Sequence, residues 1–322
     1  LKRFSFLIYG LGSTGDSVIR FFKKKKISNF YIWDDNVNLR KKHRLKKIVN
    51  FKRSIEQVDY IVLSPGVSLK KAKFKKDLKK YKNKIITDID LLYLSNSNFK
   101  SIVVTGSNGK STTCKIIYHL LKKNKFQVQL GGNIGTPVLD LEIKKNIFLV
   151  IEASSFQLSH SRFIHPNYAI LLNVTNDHLD WHGSFNAYMA SKLKIFNLQN
   201  TNNFALLNDG FKKIFRNKKY QSKLISIKIK EYHKIKFKIK NFYLKSSTND
   251  ENMIFAFTLA KLLKINQKSF IKSMNSFVGL SHRYEIFYKK KNIVFINDSK
   301  ATSLQSSRSA LMGRKNIFWI LG

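Results

Sequence analysis

The sequence predicts an α/β chain built on doubly wound parallel sheets, with phosphate-binding turns where strands give way to helices. Three observations predict it. Short apolar runs alternate with helix-patterned segments through most of the 322 residues. The first of these runs breaks into Gly10-Leu11-Gly12-Ser13-Thr14-Gly15, a G-x-G-x-x-G turn. A later run enters Thr105-Gly106-Ser107-Asn108-Gly109-Lys110-Ser111-Thr112, a second phosphate-type loop.

Residues 4–9 form the first expected strand and residues 15–26 carry a helical pattern. Residues 30–33 form a second strand ending in Asp34-Asp35, and residues 60–63 a third ending in Ser64-Pro65-Gly66. Ligands of such a sheet belong at the carboxyl ends of its strands. The polar stretch Ser95-Asn96-Ser97-Asn98 reads as a linker. In the next block, residues 101–104 form a strand that leads through the second loop into a helix ending near Lys123. Residues 147–151 deliver Glu152, and residues 168–172 deliver the stretch from Asn173 to Asp180. Residues 212–243, rich in Lys and Ile with some period-2 alternation, are expected to form strands, and residues 252–263 a helix. A third strand-rich block starts near Leu280. There residues 293–296 deliver Asn297-Asp298-Ser299-Lys300, and residues 317–321 form the next strand. The expected domains are residues 1–95, 96–279 and 280–322.

Composition excludes several classes. Hydrophobic residues make up 43% of the chain, enough for buried cores. A lone cysteine, Cys114, excludes a disulfide framework and points to a reducing compartment. The start, Leu1-Lys2-Arg3 before an apolar run, mimics a signal peptide, but the run is short and enters the glycine turn. No run approaches the ~20 apolar residues of a membrane span. The charge is extreme, 60 Lys+Arg against 19 Asp+Glu, a net +41. Such charge attracts nucleic acid. Here the lysines are dispersed between motifs rather than gathered in one arm, which favours a solvated basic surface over a nucleic-acid footprint.

The glycine turn, with Asp34 about twenty residues on, lets backbone approach a pyrophosphate at a helix N-terminus. It says "phosphates here" more securely than it says "nicotinamide", and an NAD(P) oxidoreductase stays open on this motif alone. In the second loop Val104 stands where a strict Walker A has its first glycine. Backbone N–H groups there would face nucleotide phosphates, Lys110 would neutralise them, and the Ser111 hydroxyl would reach Mg²⁺. Glu152 at a strand end suits a Mg²⁺ ligand, or is an exposed strand-end carboxylate. Asp177-His178-Leu179-Asp180 offers a metal ligand or substrate contact. Asp298 and Ser299 are explained by a capping turn, or Asp298 meets a ribose and Lys300 a phosphate. A basic nucleic-acid-binding ATPase is a third class, though it leaves the first glycine turn unexplained.

The ordered set of motifs resembles the Mur ligase family. It runs from the glycine turn and Ser-Pro-Gly through Gly-Ser-Asn-Gly-Lys-Ser-Thr, Gly-Gly-Asn-Ile-Gly, Glu-Ala-Ser-Ser-Phe-Gln-Leu and Asn-Val-Thr-Asn-Asp-His-Leu-Asp. It continues with Ala-Ser-Lys-Leu-Lys-Ile-Phe, His-Arg-Tyr-Glu and Asn-Asp-Ser-Lys-Ala-Thr, and so covers residues 8–322. The last motif is similar to that of the family members that add D-glutamate; a sibling adding another amino acid is the alternative. The resemblance implies a Rossmann-like UDP-binding domain, a central P-loop ATPase domain and the start of a Rossmann-like C-terminal domain. It implies a cytoplasmic, monomeric enzyme that joins D-glutamate to UDP-N-acetylmuramoyl-L-alanine, with no nucleic-acid or membrane partner.

By resemblance, Ser13, Thr14, Asp34, Asp35 and Gly66 would hold UDP, and Asn133 and His178 the rest of that substrate. Gly106, Ser107, Asn108, Gly109, Lys110, Ser111 and Thr112 would cradle ATP. Ser111 and Glu152 would hold one Mg²⁺, and His178 with Lys192, carbamylated by CO₂, a second. Asn249 and Asn252 would lie near the nucleotide, and Arg283 would reach the γ-phosphate. Asp298 would meet the ribose, and Lys300 and Thr302 the amino-acid side. The chain departs from the family pattern at Trp181 (usually Arg), Thr248 (often His), Ser281 (usually Pro) and Ser303 (usually Asn). The absent initiator Met and abrupt end suggest a fragment cut inside the third domain, expected to be inactive by itself.

Overall fold

Strand β1 (Phe6–Tyr9) is apolar without a break and buried at every position, the pattern of a strand covered on both faces. It pairs in parallel with β2 (Phe30–Trp33) and β3 (Tyr60–Leu63), with Phe6 opposite both Phe30 and Tyr60. The short β4 (Ile85–Ile86) adds to β3, giving the order β2-β1-β3-β4. The reversal of strand order beside β1 opens a crevice at the carboxyl ends of β1 and β3. This computed structural model describes residues 1–43, 50–95, 98–227, 229–301, 307, 311 and 315–321. They form two compact units: residues 1–107 with 126–226, and residues 108–125 with 227–322.

The first unit also holds a six-stranded sheet. Its strands are β5 (Phe99–Thr105), β6 (Val128–Gly132), β7 (Ile147–Glu152), β8 (Tyr168–Leu171), β9 (Phe204–Asn208) and β10 (Lys223–Ile227), in the order β10-β9-β8-β5-β7-β6. β7 is buried along its whole length. Its Glu152 stands opposite Val104 of β5 and Gly132 of β6. Parallel pairing thus aligns the carboxyl ends of three strands. Polar ties join the two sheets of this unit. Arg20 clasps Asp140 with two hydrogen bonds of 3.1 and 2.6 Å. The Asp90 carboxylate accepts the Arg162 and Phe163 N–H groups at 3.0 and 2.8 Å, and Thr87 meets Ser161 at 3.0 Å. Asp88 accepts from Gln157, and burial pushes its carboxyl up to about 6.

In the second unit the Lys110–Lys123 helix packs against the Asp250–Leu262 and Gln267–Asn275 helices. It buries Ile116, Ile117, Leu120 and Leu121 at helical spacing, with Cys114 buried beside them. The Asp250–Leu262 helix is apolar round most of its surface and correspondingly buried. An antiparallel hairpin, β11 (Glu285–Lys290) and β12 (Ile293–Asn297), lies in the same unit.

Two expectations are corrected. Residues 212–243 are mostly helical, with helices at Lys212–Asn217, Ile229–Lys236 and Phe242–Lys245 and only β10 as a strand. Lysine fills exposed positions in either structure, so its alternation with Ile is uninformative. The deciding pattern is the buried Tyr232 and Ile235, three residues apart. Residues 317–321 form no strand: they pair with no described residue, and Phe318 is 97% exposed. An apolar run becomes a strand only beside a ladder partner. Thr302 and Ser303, and Asn96 and Ser97 of the expected linker, lie outside the described residues.

Gly15 and Gly12 separate the structural from the functional use of the first turn. A Cβ at Gly15 would stand 2.0 Å from the Gly10 carbonyl oxygen, whereas one at Gly12 meets nothing within 4 Å. Gly15→Ala is expected to lower unfolding stability by about 1–3 kcal/mol, and Gly12→Ala by less than about 0.5 kcal/mol. Chemical denaturation of both variants checks this; equal losses would contradict it.

Candidate active site

The first unit presents a cleft of about 570 Å³ at the carboxyl edge of the four-stranded sheet. Gly12, Ser13, Thr14, Asp34, Asp35 and Gly66 line it, with Ser64, Ser68 and Lys71 among the others. Every residue that the resemblance assigned to UDP is therefore gathered here. The two carboxylates also build the cleft. Asp34 accepts the Leu11 N–H at 2.6 Å and the Asn36 N–H at 2.8 Å, which fixes the glycine turn against the end of β2. Asp35 accepts from the Tyr9 hydroxyl, the Trp33 indole and the Lys73 N–H. Burial, with Asp35 as its acceptor, holds the Tyr9 phenol well above its ordinary pKa. The Arg40 guanidinium lies 4.3 Å from the Trp33 ring centroid.

The six-stranded sheet carries a second group at its carboxyl edge. Asn133 clamps Glu152 twice, by its N–H on the Glu152 backbone carbonyl and by its side-chain amide on Oε1, both at 2.9 Å. The approach needs glycine at 132: φ is +109°, and a Cβ would fall 2.3 Å from the Glu152 carbonyl oxygen. Glu152 is 2% exposed, and its buried Oε2 has no hydrogen-bond partner among the described residues. A buried carboxylate oxygen is costly unless it is paired or binds a cation. An oxygen of this kind fits Mg²⁺, a hard cation bound through one or two carboxylates plus phosphates and water. Among the described residues no three His, Cys, Asp or Glu side chains form an all-protein metal cluster.

Lys192 is buried to 1% exposure. Its Nζ donates to the Gly106 carbonyl at 2.7 Å and lies 4.4 Å from the Tyr188 ring centroid. Tyr188 stands four residues earlier, on the same face of the Phe185–Leu193 helix. Its hydroxyl meets Ser107 Oγ at 2.9 Å, and the Ser107 N–H donates to the Asn173 carbonyl at 2.9 Å. The first half of the phosphate loop is thus pinned from below. His178, half-exposed, has left-handed φ of 51°, a conformation that costs a non-glycine residue roughly 1 kcal/mol. Its ring packs 4.8 Å from Phe156, which also meets Trp181 at 4.9 Å.

The second unit gathers another set. Gly109, with φ of 82°, turns the loop into the Lys110–Lys123 helix, where Ser111 and Thr112 are buried. Thr113 Oγ1 donates to Asn252, Asn252 to Asn249, and Asn249 to the Tyr243 carbonyl, at 3.0, 2.9 and 2.9 Å. Burial raises the Tyr243 phenol; its bond to Thr112 and the charge of Arg283 oppose that rise. Asp298 accepts the Tyr284 N–H at 2.9 Å, and burial holds its carboxyl above the ordinary range, against the Arg283 charge. The Lys300 N–H donates to the His282 carbonyl at 3.1 Å. The sequence reading missed Tyr188 and Tyr243. The four-residue spacing to Lys192 could have revealed Tyr188; Tyr243 left no such signal.

Asn133→Ala removes the side-chain hydrogen-bond donor that Glu152 Oε1 has among the described residues. It is expected to lower stability by about 1–2 kcal/mol. Thermal denaturation checks this, and an unchanged midpoint would mean that the clamp is not formed in solution.

Comparison with known proteins gives a consistent result. Residues 104–273 match the family model described as the Mur ligase middle domain, and residues 4–86 the one described as the Mur ligase MurD-like N-terminal domain. A UDP-N-acetylmuramoylalanine–D-glutamate ligase of Wolbachia sp. subsp. Brugia malayi (strain TRS) is 34% identical, the match covering 100% of this chain and 78% of that protein. One of the same name from Rickettsia prowazekii (strain Madrid E) is 34% identical over 98% of this chain and 76% of its own length. Among solved structures, the MurF ligase of Thermotoga maritima in complex with ADP is 16% identical, with a TM-score of 0.55 over 97% of this chain and 74% of that one. That likeness shows the fold.

Proposed function

The chain belongs to the Mur ligase family, and from that membership we propose that it joins D-glutamate to UDP-N-acetylmuramoyl-L-alanine with ATP as the driving reagent. The reaction serves peptidoglycan precursor synthesis, and we place the enzyme in the cytoplasm as a monomer. The observation that carries the reading is the buried, unpartnered Oε2 of Glu152 at a strand end aligned with the start of a Gly-Lys-Ser loop. In addition, no helix among the described residues is long and apolar enough to cross a membrane.

A carboxylate is a poor acylating agent. In the proposed reaction the L-alanyl carboxylate attacks the γ-phosphorus of ATP, releasing ADP and forming an acyl phosphate. The D-glutamate amine then attacks the acyl carbon, and phosphate leaves as the amide forms. The protein supplies positioning and charge neutralisation. Ser13, Thr14, Asp34, Asp35 and Gly66 hold the UDP end, and Asn133 and His178 contact the rest of that substrate. The loop from Gly106 to Thr112 binds ATP, with Lys110 on its phosphates, Arg283 on the γ-phosphate, Asn249 and Asn252 beside the nucleotide, and Asp298 on the ribose. Ser111 and Glu152 would hold one Mg²⁺, His178 and Lys192 a second. Bound Mg²⁺ neutralises phosphate oxygens. Lys192 is assigned as a lysine carbamate formed with CO₂, which would turn a buried cation into an anionic oxygen ligand. Lys300 and Thr302 are assigned to the amino-acid side.

The test is phosphate release from ATP by the protein in its full natural length, with UDP-N-acetylmuramoyl-L-alanine and one of D-glutamate, L-alanine, L-lysine or meso-diaminopimelate. Release with D-glutamate alone is expected, and Lys110→Ala should lower it about a hundredfold or more. Release only with another amino acid would overturn the specificity.

A further inference from the structure

The segment after β3 forms one wall of the 570 Å³ cleft through Gly66, Val67, Ser68, Lys71 and Ala72. Lys70, in the middle of that segment, does something different. Its Nζ donates to the Asp180 carbonyl at 2.7 Å, so it reaches from the cleft wall to the turn that carries His178. That turn is the short Leu179–His182 helix, entered through His178 and left through Gly183, with left-handed φ at both, 51° and 87°. A Cβ at Gly183 would lie 3.8 Å from Lys70 Nζ, so the ammonium sits close along this turn.

The electrostatics are equally specific. Among the described residues no carboxylate lies within ion-pairing distance of Lys70. The exposed ammonium therefore meets a backbone carbonyl and no carboxylate among the described residues. An ammonium held by that hydrogen bond between a phosphate-type cleft and the His178 turn is placed to meet an anion that spans the two.

We propose that Lys70 is a specificity-determining residue that ties the cleft wall to the His178 turn and offers its ammonium to the diphosphate of a UDP-linked substrate reaching across both. The inference rests on the functional reading above, which places the UDP end in the cleft and the remainder at His178. Neither the glycine turn nor the phosphate loop includes this residue.

Calorimetric titration of the full-length protein with UMP, UDP-N-acetylmuramoyl-L-alanine and ATP tests it, in the wild type, Lys70→Ala and Lys70→Arg. Lys70→Ala is expected to weaken the UDP-sugar about tenfold while leaving UMP and ATP within about twofold, and Lys70→Arg to restore most of the loss. Unchanged UDP-sugar affinity in Lys70→Ala would overturn the proposal. An equal loss for UMP and the UDP-sugar would also overturn it, because Lys70 would then only support the cleft. A wild type that binds ATP but no UDP-sugar would overturn the functional reading and this inference with it, whereas a wild type that binds the sugar isolates the question to Lys70.

Discussion

A parallel sheet delivers the carboxyl end of every strand to one edge, and in this chain that edge receives the groups that are hardest to bury. Glu152 ends the fully buried β7 with one carboxylate oxygen answered by Asn133 and the other without a hydrogen-bond partner among the described residues. Lys192 is buried under the phosphate loop, where it donates to the Gly106 carbonyl and packs near the Tyr188 ring. Buried charge of either sign is destabilising unless paired. The glycine at 132, the loop pinned by Ser107 and Tyr188, and the left-handed His178 are arrangements made around that edge.

The four-stranded sheet follows the same logic with milder chemistry. Its carboxylates, Asp34 and Asp35, are largely engaged in shaping the glycine turn and the ends of β1 and β2. A carboxylate has more acceptor sites than these bonds use, so the roles of builder and ligand contact are compatible. The contrast with Glu152 is informative: Asp34 and Asp35 are engaged by protein donors, whereas Glu152 keeps one buried oxygen without a hydrogen-bond partner among the described residues.

Much of this was legible in the sequence because the chemistry sits at chain-local junctions. β2 and β3 fall at residues 30–33 and 60–63 as read, since unbroken apolar runs bounded by Asp or Ser-Pro-Gly leave little freedom. Glu152 and the phosphate loop are likewise strand-end features. The failures share a cause. Residues 212–243 were misread because lysine occupies solvent positions in helix and strand alike, so the pattern carried no phase. Residues 317–321 lack a ladder partner among the described residues, which local propensity cannot reveal. Tyr243 reaches Thr112, and Lys70 reaches Asp180, across more than a hundred residues of sequence, so only the fold shows either pairing.

The claim on which the account turns is that Glu152 Oε2 is left open for a divalent cation. Titration with Mn²⁺ in place of Mg²⁺, followed by electron paramagnetic resonance in the presence of a non-hydrolysable ATP analogue, addresses it directly in the full-length wild type and in Glu152→Gln. The account predicts that Glu152→Gln weakens Mn²⁺ binding by about tenfold or more while metal-free nucleotide affinity stays unchanged. Equal Mn²⁺ affinity in the two proteins would contradict it and leave the buried carboxylate without an explanation.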